Sequence, residues 1–119
     1  MKYLMTAILF VGVLTSAAEK FELTSNLKPG QSIPKDYYAG IFGCSAKSIS
    51  PSLEWKNIPP GTKSFAITFY DQDAPTGSGF WHYVLYDIPV SVHKIEIGDL
   101  TNGKIPKGSI ESLTDAGKP

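Results

Sequence analysis

Arginine is absent from this chain, and all eleven basic residues are lysines. Arginine has the planar fork best suited to bidentate recognition of phosphate or guanine, and the lysines here form no basic stripe. Eleven acidic residues balance the lysines, so the formal net charge is zero. These absences argue against nucleic acid as a partner and against electrostatic attraction to a membrane surface.

Cysteine is nearly absent as well, since Cys44 is the only one in the sequence. A lone cysteine is most often buried as a small apolar side chain. In an oxidising compartment an unpaired thiol is unusual, and a lost disulfide partner is then the alternative. The residues themselves leave both interpretations open.

The sequence also lacks an apolar run of the roughly 20 residues needed to span a bilayer as a helix. The longest run, residues 3–14, follows Lys2 and precedes the small residues 16–18, an order typical of a secretory signal peptide. A membrane anchor and a buried N-terminal helix are the alternatives. We predict a signal peptide over residues 1–18 that is cleaved after Ala18. The remaining domain, residues 19–119, is then expected to be periplasmic or secreted, with no stable membrane insertion.

No helical stripe of apolar residues with caps follows residue 18. Short apolar alternations are separated by turns rich in proline and glycine, and the clearest ones cover residues 65–70 and 82–88. Both alternating faces of the second segment are substantially apolar, which predicts a central strand covered on both sides. In that strand Val84, Tyr86 and Ile88 are expected on one face and Leu85 on the other. The pattern predicts an all-β domain.

Acidic residues follow the first of these strands, and a histidine opens the second. Asp71 and Asp73 come directly after residues 65–70, a loop rich in proline, glycine and serine reverses the chain, and His82 follows Trp81. If the two strands are neighbours, the carboxylates and the imidazole converge at one edge of the sheet. A carboxylate beside a histidine favours the imidazolium, which could hold a small anion within aromatic walls that include Trp81. The alternative is that the aspartates only cap the loop and that His82 is an ordinary strand residue.

A metal site is a further interpretation of the same residues. Asp71, Asp73 and His82 could supply oxygen and nitrogen ligands to the metal ion of a metal-dependent enzyme, but three ligands in a short window do not discriminate. Neither Ser64 nor Ser78 has the surroundings of a nucleophile elbow, and no glycine-rich loop leads into a helix. We therefore expect no catalytic residue, no cofactor and no resident metal.

Four motifs, in this order and spacing, resemble the phosphatidylethanolamine-binding proteins, and among them the bacterial Raf-kinase-inhibitor-like branch. The motifs are residues 50–55 (SPSLEW), 58–65 (IPPGTKSF), 71–79 (DQDAPTGSG) and 81–89 (WHYVLYDIP). The likeness covers roughly residues 21–119. Gln72 departs from it, because the family usually has proline between the two aspartates.

The resemblance implies a β-sandwich with Greek-key-type sheets and a small pocket for anions at one end, used for binding rather than catalysis. Position by position, Asp71 and His82 match pocket residues, and Asp73 and Pro75 belong to its rim. The bond between Ala74 and Pro75 matches a cis peptide of the family. The implied partner is a small anionic ligand or a phospholipid head group that bears phosphate or carboxylate.

The family pattern continues past residue 119 with segments that complete the pocket, so the chain is expected to be C-terminally truncated relative to it. The resemblance also implies that the disulfide partner of Cys44 lies in those segments. Two other classes of function stay open. One is a protein-interaction module that inhibits a partner through its surface, as the family's name suggests, and the other is a gene remnant without function.

Overall fold

The computed structural model describes residues 19–40 and 45–117. Within these ranges six β-strands and one turn of 3-10 helix, Lys35–Tyr37, account for the regular structure. None of the helical structure described there is long and apolar enough for a membrane span. The predicted signal peptide, residues 1–18, and the disulfide of Cys44 both fall outside the described residues.

The first sheet is formed by three short antiparallel strands. They are β1 (Glu22–Ser25), β2 (Leu53–Lys56) and β5 (Lys94–Ile95), in the spatial order β1-β2-β5. Leu23 lies opposite Trp55, and Leu53 lies opposite Ile95. The central strand β2 therefore places the large side chain of Trp55 in the core.

The second sheet contains the two strands that the sequence predicts most clearly. Its strands are β3 (Ser64–Asp71), β4 (Phe80–Pro89) and β6 (Ile110–Glu111), in the order β3-β4-β6 with antiparallel pairing. The strands around residues 65–70 and 82–88 are neighbours, which meets the condition under which the aspartates and His82 converge. The two-residue strand β6 has no apolar alternation by which it could have been predicted.

The core lies between the two sheets. Trp55 and Ile95 from the first sheet and Leu85 and Ile88 from the second are its buried members. The indole ring of Trp55 meets the ring of Phe65 edge-on, with the centroids 5.4 Å apart. Two antiparallel sheets closed on one apolar layer form a β-sandwich, which confirms the all-β prediction.

A bulge in β4 overturns the strict alternation predicted for it. Phe65 lies opposite Ile88 and Ile67 lies opposite Leu85, so β4 has one residue more than β3 between these pairs. The extra residue coincides with a positive φ of 55° at Asp87. Because a bulge shifts the alternation by one position, Leu85 and Ile88 both face the core although they are three residues apart.

The outer face of the second sheet is exposed, although β4 was expected to be covered on both sides. Val84 lies opposite Thr68, and the side chain of Tyr86, which lies opposite Ile110, is 39% exposed. This face has no covering layer in the part of the chain that the structure describes. The prediction of a strand covered on both sides is therefore wrong, because the apolar residues of β4 serve one core only.

Candidate functional site

The hairpin of β3 and β4 ends in a loop, residues 72–79, that carries the predicted site. Asp71 is the last residue of β3 and lies opposite Phe80, the first residue of β4. Asp73 and Pro75 lie in the loop, and both are exposed. The antiparallel pairing therefore brings the two aspartates and His82 to the same end of the sheet, which we call the hairpin tip.

A second bulge sets the position of His82. Tyr70 lies opposite Trp81 and Phe69 lies opposite Tyr83, so His82 is the extra residue between two regular pairs. An extra residue interrupts the ladder of hydrogen bonds and re-aims its own side chain, and such bulges are frequent beside functional sites. The bulge thus lies at the same histidine that the sequence predicts as a site residue.

Aromatic rings surround the imidazole of His82. Its ring centroid lies 4.9 Å from that of Phe80 and 5.4 Å from that of Phe69, and both ring pairs are tilted. Phe69 and Asp71 are two residues apart on β3 and share a face. Ile67 continues this face into the core. His82 and Asp71 therefore both belong to the inner face of the sheet, near its open end.

The Asp71 carboxylate forms a bond within the loop instead of a pair with the imidazole. Its Oδ1 accepts a hydrogen bond from the backbone N–H of Asp73 at 3.0 Å, the arrangement of an Asx turn. The His82 ring lies against the rings of Phe69 and Phe80. The interpretation of Asp71 as a loop cap thus describes this structure, and the carboxylate–imidazole pair is not formed in it.

The rim of the site is a γ-turn at Pro75. The N–H of Thr76 donates to the carbonyl of Ala74 at 2.7 Å, which makes proline the central residue, where its fixed φ is favourable. The bond between Ala74 and Pro75 is trans, since the described ranges contain no cis peptide. The cis bond implied by the family resemblance is therefore absent here.

Trp81 lies on the outer face of the sheet. Its ring packs on Tyr70 at a centroid distance of 4.5 Å, and the Tyr70 hydroxyl donates to the carbonyl of Ser78 at 2.7 Å. Gly79, with a φ of 74°, lies against the same tyrosine ring, and a Cβ at this position would overlap the hydroxyl. The structure therefore does not bring Trp81 together with His82. The aromatic rings beside His82 are those of Phe69 and Phe80.

Tyr83 and Glu111 form a partly buried polar pair near the site. The Tyr83 hydroxyl donates to Oε1 of Glu111 at 2.6 Å. Burial, and then the hydrogen bond and charge of Glu111, raise the pKa of Tyr83 well above its ordinary value. No sequence pattern pointed to Glu111, because only the pairing of β6 with β4 brings it to this face.

Carboxylates predominate around the hairpin tip. Besides Asp71 and Asp73, Asp115 accepts a hydrogen bond from the backbone N–H of Trp81 at 2.8 Å, and Glu111 pairs with Tyr83 further along β4. The lysines that form ion pairs within the described ranges do so elsewhere. These ion pairs are Lys47–Asp36, Lys56–Glu54, Lys94–Glu96 and Lys104–Asp99. A simple anion would therefore meet repulsion at the tip as well as the attraction of a charged His82.

The described residues of the hairpin tip differ in exposure, since Asp71, Asp73 and Pro75 are exposed and His82 is half-buried. Two cavities, of about 330 and 210 Å³, are lined by residues of β1, β2 and β5 and by the segment around Tyr37. Neither includes a predicted site residue. Within residues 19–40 and 45–117, no three His, Cys, Asp or Glu side chains are close enough together to hold a metal ion.

Solved structures share this fold. The crystal structure of Escherichia coli YbcL, described as a new member of the mammalian PEBP family, superposes with a TM-score of 0.77 at 41% identity and covers 82% of this chain and 61% of YbcL. A homolog from Chlamydia trachomatis, CT736, described as a putative phosphatidylethanolamine-binding protein, gives a TM-score of 0.63 at 24% identity. The second likeness concerns the fold alone.

Curated sequences give the same relationship. The chain is 40% identical over 121 residues to UPF0098 protein YbcL of E. coli strain K12, which covers 98% of this chain and 66% of the relative. It is 38% identical over 98 residues to YbhB of the same strain, with 81% and 61% covered. The chain thus spans less than two thirds of the length of these two relatives. A sequence profile described as phosphatidylethanolamine-binding protein matches residues 24–119, and the chain belongs to that family.

Proposed function

We propose that this protein binds small head groups that carry a phosphate together with an amine, as in a zwitterionic phospholipid, without catalysing a reaction on them. The observation that carries the proposal is the placement of His82 and Asp71 on one face of the sheet, beside phenylalanine rings. The description of the matched family, which names phosphatidylethanolamine, supports the same class of ligand.

In this proposal His82 is the contact for the phosphate. A charged imidazole offers two N–H donors, and the bulge holds it out of the regular ladder at the open end of the inner face. The neighbouring rings of Phe69 and Phe80 exclude water on one side, which strengthens a hydrogen bond to an anionic oxygen.

The carboxylates of the hairpin tip are the contacts for the amine. Asp71 and Asp73 would repel a free phosphate or carboxylate, but they attract the ammonium of a zwitterion. The two phenylalanine rings add a favourable surface for a cation. A ligand of mixed charge therefore fits this surface better than a simple anion of the kind expected from the sequence.

Titration calorimetry with phosphoethanolamine, ethanolamine and inorganic phosphate tests the proposal. We expect phosphoethanolamine to bind more tightly than either part alone, and His82→Ala to weaken it by roughly tenfold or more, the size of a lost charge-assisted hydrogen bond. His93→Ala is the matched control, since this histidine is exposed and its ring hydrogen-bonds the carbonyl of Val90, away from the hairpin tip. Equal affinities for the wild type and the His82 variant would refute the role of His82.

The absence of catalysis is a separate part of the proposal. The described neighbours of the His82 ring are the rings of Phe69 and Phe80, and such apolar neighbours do not prepare an imidazole to act as general base for a nucleophile. We expect phosphoethanolamine to be recovered intact after prolonged incubation with the protein. Release of inorganic phosphate above a protein-free control, lost in His82→Ala, would instead identify an enzyme.

Export to the periplasm or the medium completes the proposal. It is supported by the charged, apolar and small segments that follow one another in residues 1–18. The test is an intact mass of the native protein recovered from the cell envelope or the medium. We expect the N-terminus at Glu19; a retained Met1 would contradict cleavage.

A further inference from the structure

Tyr70 joins the far end of the hairpin loop to the strand that precedes the loop. Its hydroxyl donates to the carbonyl of Ser78 at 2.7 Å, across eight residues of the chain. Three further bonds of the loop, within residues 71–73, 74–76 and 76–79, each span two or three residues. These local bonds shape single turns, whereas the bond from Tyr70 connects the end of the loop to its beginning.

Two neighbours fix the ring of Tyr70. It packs on the ring of Trp81 at a centroid distance of 4.5 Å, and its phenol end lies against the buried residue Gly79. A Cβ at position 79 would overlap the hydroxyl and the ring carbon that bears it, so any side chain there would displace the ring. Glycine at position 79 is therefore required by the tyrosine as well as by its own φ of 74°.

We infer that Tyr70 is a positioning residue of the candidate site and acts from the face of the sheet opposite to the ligand. Its hydroxyl holds the loop so that the carboxylates of Asp71 and Asp73 stay at the same end of the sheet as His82. This inference rests on the proposed function, in which those carboxylates contact the amine of a zwitterionic head group.

The bond from Tyr70 to Ser78 borders the site at both ends. Tyr70 directly precedes Asp71, the last residue of β3. Ser78 lies two residues before Phe80, which is opposite Asp71 and whose ring lies beside that of His82. A change in this bond is therefore transmitted to the site through one or two residues of backbone on each side.

The ring and the hydroxyl of Tyr70 have separable effects. Tyr70 and Trp81 form the regular pair on one side of the bulge at His82, so their ring contact stabilises the backbone that carries the imidazole. The hydroxyl acts on the loop, which carries the carboxylates. Phenylalanine at position 70 keeps the ring contact and removes the bond to Ser78, so it should weaken the contacts to the amine and preserve the contact to the phosphate.

Titration calorimetry of Tyr70→Phe with phosphoethanolamine and with inorganic phosphate tests the inference. We expect the affinity for phosphoethanolamine to fall by about three- to tenfold, because a smaller fraction of the molecules holds the loop in its binding position. The affinity for inorganic phosphate should stay within about twofold. Tyr86→Phe is the matched control, since it removes the same atom from a tyrosine on the outer face opposite Ile110, away from the tip.

Order parameters of the backbone amides provide a readout without ligand. In Tyr70→Phe those of residues 73–79 should fall from about 0.85, typical of rigid backbone, toward about 0.6, while those of residues 82–88 stay unchanged. A second pair of variants tests the fit of the ring against Gly79. Gly79→Ala should weaken binding of phosphoethanolamine more in the wild type than in Tyr70→Ala, since the overlap requires the ring.

The outcomes separate this inference from the proposed function. A wild type that does not bind phosphoethanolamine refutes the proposed function. A wild type that binds it, together with a Tyr70→Phe variant of equal affinity or with unchanged order parameters in the loop, refutes the inference alone. Equal losses for phosphoethanolamine and inorganic phosphate would also overturn it, because they would show a general effect on the sheet and not on the loop.

Discussion

The two ends of the β3–β4 hairpin share strands and inner face but differ in what covers them. Toward the start of β3, Phe65 and Ile67 pack against the buried core, whose member Leu85 is fully buried. Toward the tip, Phe69 continues the same row and remains about half exposed. The difference shows that an apolar alternation identifies which face of a strand points inward. It does not show how much of that face is covered by the opposite sheet.

Truncation of a buried side chain at the covered end should give the largest effect on stability. Leu85→Ala is expected to lower the free energy of unfolding by about 2–5 kcal/mol, because it removes buried methyl groups and leaves a cavity. Phe69→Ala, at the open end of the same face, should cost about 1 kcal/mol, since only part of the ring is removed from water. Urea unfolding followed by circular dichroism measures both, and equal losses would break the comparison.

The pair of Tyr83 and Glu111 lies between the two ends and should show a pH dependence. Tyr83→Phe is expected to cost about 1–2 kcal/mol at neutral pH, because it removes a hydrogen bond to a partly buried carboxylate. The pKa of Tyr83 is raised in the folded state, so the folded chain holds the proton more strongly than the unfolded chain. The stability that this provides is present in full below about pH 10 and is lost as the pH rises further.

Unfolding free energies at several pH values check this sign. Between neutral pH and about pH 11 the wild type should lose stability more steeply than Tyr83→Phe, and the two curves should approach each other. A constant gap between them across this range would contradict the direction of the shift.

The smallest effect on stability is expected at the tip itself. Asp71→Asn keeps a side-chain oxygen that can accept the N–H of Asp73, so the unfolding free energy should change by less than about 0.5 kcal/mol. The same change removes a negative charge beside His82. Calorimetry should therefore show weaker binding of ethanolamine and stronger binding of inorganic phosphate, and unchanged affinities would argue against the proposed site.

Several features of the fold could be predicted from the residues. The alternation over residues 65–70 and the apolar run over 82–88 predicted the two long strands, and the loop composition between them predicted their hairpin. The family motifs predicted the sandwich. The breaks in the alternation of β4 could not be predicted. They are caused by the bulges at Asp87 and His82, which depend on how the strand packs against β3 and the core.

The candidate site was predicted in part. Asp71, Asp73 and His82 do lie at one end of the sheet, since antiparallel neighbours must bring these positions together. Trp81 was grouped with them by proximity in sequence, but its pairing with Tyr70 places it on the outer face. Their role in binding stays a prediction.

By itself the sequence determined the two long strands, the acidic loop and the histidine that follows it, because these depend on local composition and on periods of two. Only the tertiary structure decided which rings surround His82 and which partner Tyr83 receives. These features depend on contacts between residues far apart in the chain, such as Tyr83 with Glu111 and Trp55 with Phe65. A local pattern has no information about such contacts, because the register and coverage of the sheets are set by packing of the whole domain.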